Sequence, residues 1–288
     1  MLESSTKFII FLHIQKTGGI TLQRILRRKL GPSLPLRAIR SIRSKKSPNS
    51  LEEAMKAKRY EDRFFVAHCC FGAHRYLPEP YTYMTMLREP VQRIISLYYF
   101  SKENPTAYYH QRAVDKSIEE FALETQLMEL DNGQVRFLAG DDQDLFINRT
   151  PIGACSNNLL EQAKSNLDQY FSFVGLTEKF DQSMLMLAKA MGQKQCLYLR
   201  RNVANKVDRP AISHEIRQLI AERNTLDSEL YKYAQKRLEQ DLTVHQLNDQ
   251  DILESFKSKN KRYNTLLAAP YDTYDALKAR LKGQLGRP

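Results

Sequence analysis

The sequence is poor in cysteine, and its few cysteines do not form a metal-binding pattern. Of 288 residues only Cys69, Cys70, Cys155 and Cys196 are cysteines, and no CxxC pair or Cys–His spacing indicates a zinc site. Neighbouring residues such as Cys69 and Cys70 point to opposite faces of a strand, so a disulfide between them is not expected. We therefore predict free, buried thiols and a reducing compartment.

Long apolar runs are missing as well. No stretch approaches the ~20 apolar residues that a membrane-spanning helix needs. The first apolar run, residues 8–14, is much shorter, lies between Lys7 and Gln15, and contains His13. It also lacks the pattern of a secretory signal. The expectation is a chain with no transmembrane segment that resides in the cytoplasm.

Acidic residues are outnumbered. The chain has 33 Asp and Glu against 44 Lys and Arg, a formal net charge of +11. This balance favours a polyanionic cofactor, an acidic substrate such as a charged glycan, a nucleic acid or an anionic membrane surface. A solvated basic surface without a partner is the alternative explanation.

Internal repeats and Gly- or Ser-rich linkers are also absent from the sequence, so nothing forces a second domain. We predict one domain over residues 1–245. A charged tail with weak helical periodicity follows over residues 246–288 and is expected to pack on that domain.

The most informative stretch lies near the start of the chain. A buried-strand pattern at residues 7–14 leads into Lys16-Thr17-Gly18-Gly19-Ile20-Thr21, and a helical pattern follows to Leu30. A strand that enters a Gly-rich turn and then a helix presents backbone N–H groups and a helix dipole to an anion. The order is not that of a Walker A loop, in which the lysine follows the glycines. A plain strand-to-helix turn with a surface lysine is the simpler alternative.

Two further strands deliver charged or basic side chains where they end. Residues 63–68 read as a strand ending at His68, and residues 83–87 as a strand running into Arg88. Pro90 then suits the first turn of a helix, with Ser96 two turns along it. Functional groups gather at the carboxyl ends of strands in an open α/β sheet, so His68 and Arg88 should lie beside Lys16.

The remaining elements are assigned from periodicity and capping signals. Helices are predicted at 117–128, 159–167, 180–191, 215–224 and 227–238, and strands at 170–174 and 196–199.

Two segments together resemble a known family. His13-Ile-Gln-Lys-Thr-Gly-Gly19 and Leu87-Arg-Glu-Pro-Val-Gln-Arg-Ile-Ile-Ser96 resemble the sulfotransferases that include the heparan sulfate 2-O- and 6-O-sulfotransferases. Weaker similarity is present at residues 132–140, 173–180 and 224–231. The resemblance covers about residues 7–240 and implies a P-loop-NTPase-like three-layer α/β/α fold with a mostly parallel sheet. It also implies 3′-phosphoadenosine-5′-phosphosulfate (PAPS) as donor and no metal.

The resemblance implies a role for each matched residue. Lys16 would stabilise charge near the 5′-phosphosulfate, and residues 17–21 (Thr17, Gly18, Gly19, Ile20 and Thr21) would cradle it. Arg88 and Ser96 would hold the 3′-phosphate. Because the acceptor is an alcohol, a general base is needed, and His68 matches the family's catalytic histidine, although relatives often carry Gly where this chain has Ala67. His74 is the rival base, and His13 is expected to be structural. Arg200, Arg201, Asn205 and Lys206 match a late loop of the family only loosely.

The predicted function is thus transfer of a sulfuryl group from PAPS to a hydroxyl of a carbohydrate or other acceptor, with an acidic glycan as one candidate. The alternatives are a P-loop-like ATP-dependent kinase and a non-catalytic polyanion- or glycan-binding protein. A nucleic-acid partner is not expected, because no nucleic-acid-binding module is recognisable. The acceptor and the oligomeric state stay open.

Overall fold

A computed structural model describes residues 8–30, 64–77, 79–141, 147–199 and 209–285. Its centre is a four-stranded sheet made of β1 (Phe8–Leu12), β2 (Phe64–Ala67), β3 (Tyr81–Leu87) and β4 (Phe171–Leu176). The strand order is β2-β1-β3-β4, and every pairing is parallel. The α/β class predicted from the sequence is confirmed, and the sheet is wholly rather than mostly parallel within the described residues.

The strands form where apolar residues run without interruption. All five residues of β1 are buried, and so are the last five of β3. Parallel strands covered on both faces need this continuous apolar pattern, because neither face meets water. Registers such as Ile9 opposite Phe64 and Met84 opposite Phe173 bring these side chains into one core.

Helices flank the sheet and connect its strands. They are α1 (Gly19–Leu30), α2 (Pro90–Glu103), α3 (His110–Ala113), α4 (Ile118–Ala122), α5 (Gly133–Ala139), α6 (Asn157–Tyr170), α7 (Phe180–Ala190), α8 (His214–Glu222), α9 (Thr225–Val244) and α10 (Gln250–Leu285). Short 3₁₀ turns lie at Ala73–Tyr76 and Met128–Leu130. A second apolar cluster, separate from the sheet core, joins α2, α3, α4 and α8 through residues that include Leu97, Phe121 and Ile220.

Two predicted elements are wrong in extent or type. The helix predicted at 117–128 ends at Ala122, where Arg223 donates to the carbonyls of Ala122 (2.8 Å) and Glu124 (3.1 Å). Residues 196–199 are not a strand. Their backbone is held by side chains instead, because the Tyr198 N–H donates to Asn260 Oδ1 (2.8 Å) and its carbonyl accepts from Asn264 (2.8 Å).

The residues beyond 246 are more regular than their weak periodicity indicated. They form α10, whose first half contacts the rest of the chain through the buried side chains of Phe256 and Asn260. No helix in the described ranges is long and apolar enough to cross a membrane. All four cysteines are free, and Cys155 alone is partly exposed.

Candidate active site

The strand order creates a crevice between β1 and β3. The chain leaves β1 for β2 on one side and returns to β3 on the other side of β1. Ligands of open α/β sheets bind outside the carboxyl ends of the strands at such a switch point. Lys16 follows β1 and Arg88 follows β3, so the two predicted anion-binding cations flank the crevice.

The loop after β1 is held by its own hydrogen bonds. Lys16 and Gly18 both have positive φ angles, 67° and 79°, which are costly for the lysine and free for the glycine. The hydroxyl of the fully buried Thr17 donates to the Ile14 carbonyl (2.9 Å), and Thr177 donates to the Thr17 carbonyl (2.8 Å). The Thr17 hydroxyl proton is therefore engaged inside the loop.

The second glycine of the loop has a different reason to be glycine. A Cβ at Gly19 would lie 2.0 Å from Cδ2 of His13, a distance that no packing tolerates. His13 is buried, as expected for a structural residue, and its ring lies 4.4 Å from the ring of His68, centroid to centroid. His68 is thereby placed beside the start of α1, with His13 between them.

The ammonium of Lys16 lies over an aromatic ring of α2. Its Nζ is 4.0 Å from the centroid of Phe100, a cation–π geometry. Burial and, after it, the positive charges of Arg88 and Arg209 lower the pKa of Lys16 to about 8, with Glu103 acting in the opposite direction. Arg209 is itself held by Glu103 through bonds of 2.9 and 2.7 Å.

Arg88 connects the two sides of the crevice. Its Nη1 donates to the Lys16 carbonyl (3.1 Å), and its Nε lies 3.7 Å from Glu178 Oε1. Burial lowers the pKa of Arg88, with Glu178 acting in the opposite direction. Glu178 also accepts from the Tyr231 hydroxyl (2.8 Å), so the arginine is oriented by a residue that is itself fixed.

The backbone of Arg88 is fixed from α5. The side-chain amide of the buried Gln134 accepts from the Arg88 N–H (2.9 Å) and donates to the Arg88 carbonyl (2.8 Å). Asp227 in turn accepts from the backbone N–H groups of Gln134 (3.0 Å) and Val135 (2.8 Å). Asn132 completes the arrangement by accepting from the backbone N–H of Asp227 (3.1 Å). The first turns of α5 and α9 therefore cap each other behind Arg88.

Ser96 lies on the α2 face that Lys16 covers. It is half-buried and one turn before Phe100, and residues four apart share a helix face. Ile20 is 45% exposed in the first turn of α1, and the N–H of Thr21 donates to the Gly18 carbonyl (3.1 Å). The predicted loop and α2 residues therefore surround one crevice.

His74 lies elsewhere. Its backbone N–H and its Nδ1 are each 2.9 Å from the Tyr83 hydroxyl, and its ring packs on Tyr81 and Tyr170. Tyr81 begins β3, about 20 Å of strand before Arg88. Burial, and secondarily Arg75, lower the pKa of His74. This histidine belongs to an aromatic cluster at the amino end of the sheet.

Sequence reasoning missed the residues that support the site. They are Phe100, Gln134, Thr177 and Glu178. The three segments of weaker similarity, 132–140, 173–180 and 224–231, contain most of them and meet behind Arg88. Their similarity to the family is therefore the feature of the sequence that could have indicated these residues. Arg200, Arg201, Asn205 and Lys206 lie outside the described residues. Within the described ranges, no group of three His, Cys, Asp or Glu is placed to hold a metal ion.

Comparison with known proteins decides the family. A family model described as "Sulfotransferase family" matches residues 2–234. The chain belongs to the sulfotransferase family. Heparan-sulfate 6-O-sulfotransferase 3 of Mus musculus is 26% identical over 273 residues, which cover 81% of this chain and 57% of the mouse protein. The human protein of the same name gives the same values.

Heparan-sulfate 6-O-sulfotransferase 1 of Homo sapiens is 25% identical over 287 residues, covering 83% of this chain and 69% of that relative. The chain thus spans little more than half the length of the first two relatives. The family and these relatives support sulfotransfer in general.

Proposed function

We propose that this sulfotransferase moves a sulfuryl group from PAPS to a hydroxyl of a carbohydrate acceptor, with His68 as general base. The observation that carries the proposal is the contact between Arg88 Nη1 and the Lys16 carbonyl. It places two cations, each at the end of a neighbouring strand, around the switch point of a sheet in a sulfotransferase-family chain.

The residues around the crevice fit a nucleotide with several negative groups. The crevice combines the N-terminus of the 12-residue α1, a positive-φ Gly18 and the half-buried cations Lys16 and Arg88. A helix N-terminus and adjacent cations are a suitable environment for phosphate and sulfate. PAPS would supply the sulfuryl group together with a 3′-phosphate that ATP lacks.

The loop residues would bind the 5′ end of the donor. Residues 17–21 would cradle its oxygens through the N–H groups of the loop other than that of Thr21, which already donates to the Gly18 carbonyl. The Lys16 ammonium would stabilise the negative charge that grows on the leaving phosphate. Lys16 has a positive φ, and its ammonium lies over Phe100 on the α2 face. Ser96, one turn earlier on that face, and Arg88 would hold the 3′-phosphate.

His68 would remove the proton from the attacking hydroxyl. Its position beyond β2 and its contact with His13 keep the imidazole near the start of α1. The placement of His74 at the other end of β3 supports His68 over its rival. The names of the relatives support a carbohydrate acceptor, since each is a heparan-sulfate sulfotransferase. The cytoplasmic location expected from the sequence stays a prediction, as does the lack of a metal requirement.

Thermal unfolding with nucleotides tests the donor assignment. A ligand that binds only the native state raises its stability, by about 2.7 kcal/mol at a hundred times Kd. Adenosine 3′,5′-bisphosphate should raise the melting temperature more than ATP or AMP does at equal concentration. A shift with ATP and none with the bisphosphate would refute the proposal.

Alanine variants then separate donor binding from proton removal. Lys16→Ala and Arg88→Ala should lose the bisphosphate shift. His68→Ala should keep that shift but lose transfer from PAPS to a desulfated heparan-type polysaccharide. His74→Ala is the matched control and should retain both; loss of transfer in this variant with retention in His68→Ala would overturn the assignment of the base.

A further inference from the structure

Three described segments contain basic residues and no acidic residue. They are α1 (residues 19–30), the irregular segment 193–199 and residues 255–267 of α10. Together they carry Arg24, Arg27, Arg28, Lys29, Lys194, Lys257, Lys259, Lys261 and Arg262. A run without acids in sequence becomes a surface property only if the segments meet in space.

Arg28 brings the three segments together. Its guanidinium donates to the Leu197 carbonyl and to the Tyr263 hydroxyl, and it lies over the Tyr263 ring at 5.3 Å from the centroid. Tyr198 is bonded to Asn260 on the same side of α10. The end of α1 therefore contacts α10 near Tyr263.

This contact between α1 and α10 places exposed cations of both helices next to one another. Arg24 precedes Arg28 by four residues, and Lys259 precedes Tyr263 by four, so each lies on the same helix face as the residue making the contact. Arg24 and Lys259 are exposed, as are Lys29 and Arg262. None of these four is ion-paired with another described residue, whereas Lys257, further round α10, is paired with Glu254 (2.8 Å).

This basic surface is continuous with the candidate active site. The exposed Ile20 stands in the first turn of α1, beside the loop that carries Lys16, and Arg24 and Arg28 follow it on one face. At a rise of 1.5 Å per residue the face extends about 12 Å from Ile20 to Arg28. A chain molecule could therefore contact this face while one of its units lies at the crevice.

We propose that the α1–α10 basic surface, defined by Arg24, Arg28, Lys29, Lys259 and Arg262, docks an acidic polysaccharide outside the transfer site. The choice of occupant rests on the proposed function, whose acceptor is a carbohydrate, and on charge, because only a polyanionic chain complements an acid-free row of cations. Among the described residues that define it, the surface offers no free aromatic platform for stacking bases, since the neighbouring Tyr263 ring lies against Arg28. Docking would retain the acceptor between transfers and contribute no group to the chemistry.

Matched charge-removal variants test the docking surface. Arg24→Gln/Lys259→Gln removes two cations from it, and Lys232→Gln/Lys236→Gln removes two exposed cations from one face of α9. Heparin oligosaccharide binding should weaken about fivefold in the first variant at moderate salt. The slope of log affinity against log salt should fall by about 1.4. The α9 variant should bind as the parent does.

Equal losses of heparin affinity in the two variants would show an effect of net charge alone and would overturn the proposal. Unchanged heparin binding by Arg24→Gln/Lys259→Gln would overturn it as well. Tighter binding of duplex DNA than of heparin at equal salt would overturn the polysaccharide as occupant. The bisphosphate melting shift, measured on the same samples, should be unchanged in both variants. If the parent shows no such shift while heparin binding still separates the variants, the proposed function fails and the docking surface stands.

Discussion

Replacing Gln134 with leucine should destabilise the protein and weaken donor binding although Gln134 contacts no ligand position. Its side-chain amide makes both hydrogen bonds of the Arg88 backbone, at 2.9 and 2.8 Å. Leucine has nearly the same volume but leaves that N–H and carbonyl without partners. Each unsatisfied buried group costs about 1–3 kcal/mol. Because Arg88 is partly exposed, the lower half of that range applies, and the free energy of unfolding should fall by about 2–4 kcal/mol.

Urea unfolding and thermal melts measure this loss, which should lower the melting temperature by roughly 3–7 °C for a chain of this size. The released Arg88 should also bind the bisphosphate more weakly. Gln218→Leu is the matched control, because Gln218 lies exposed on α8 and its side-chain amide donates to Glu222 of the same helix (2.8 Å). Equal stabilities and equal bisphosphate affinities for the two leucine variants would refute the view that Gln134 positions Arg88.

A second substitution keeps the test informative if the leucine variant does not fold. In Gln134→Glu, a protonated carboxyl can both accept from the Arg88 N–H and donate to the Arg88 carbonyl. The ionised carboxylate has no proton to donate. It also faces the carboxylate of Asp227, whose Oδ2 lies 3.5 Å from Nε2 of Gln134 in the parent. The folded-state pKa of the new carboxyl should therefore lie above its unfolded value of about 4.3. The penalty relative to the parent should be small below that value and grow as pH rises through the folded pKa. A penalty independent of pH would contradict the geometry.

Two further predictions concern the loop. Lys16→Met should abolish donor binding yet stabilise the unliganded protein at pH 7, because the folded-state pKa of Lys16, about 8, lies below the ordinary 10.5. Between pH 8 and 10.5 the unfolded chain binds more protons than the folded one. The stability of the parent should therefore rise with pH in this range and approach that of the variant. Urea unfolding of the parent and the variant across this pH range measures the difference in stability, with Lys189→Met, at an exposed lysine, as control. A difference between parent and Lys16→Met that widens as pH rises would contradict the prediction. Gly19→Ala should cost about 1–3 kcal/mol by overpacking, since a Cβ would meet His13 at 2.0 Å. The double variant His13→Ala/Gly19→Ala should recover part of the loss in a double-mutant cycle, and strict additivity would exclude the clash.

Sequence alone determined the elements whose signals are local. The apolar run of β1 and the Gly-Gly turn place Lys16 at the start of α1, and the run of β3 followed by Pro90 places Arg88 at the start of α2. Each needs only the burial of a strand on both faces and the fixed φ of proline. The side chains at these two junctions were therefore predictable before any contact was known.

Tertiary structure decided the rest, because the competing interactions come from distant parts of the chain. The helix predicted to reach residue 128 ends at Ala122, where Arg223 takes its carbonyl. The segment at 196–199 was predicted as a strand, but asparagines of α10 satisfy its backbone.

The order of the strands likewise follows from packing, and that order creates the crevice. Gln134 and Asp227 are 93 residues apart, and no local pattern links them to Arg88. The sequence is sufficient to predict which charged groups lie at the strand ends, but the long-range hydrogen bonds that orient these groups form only once the helices have packed.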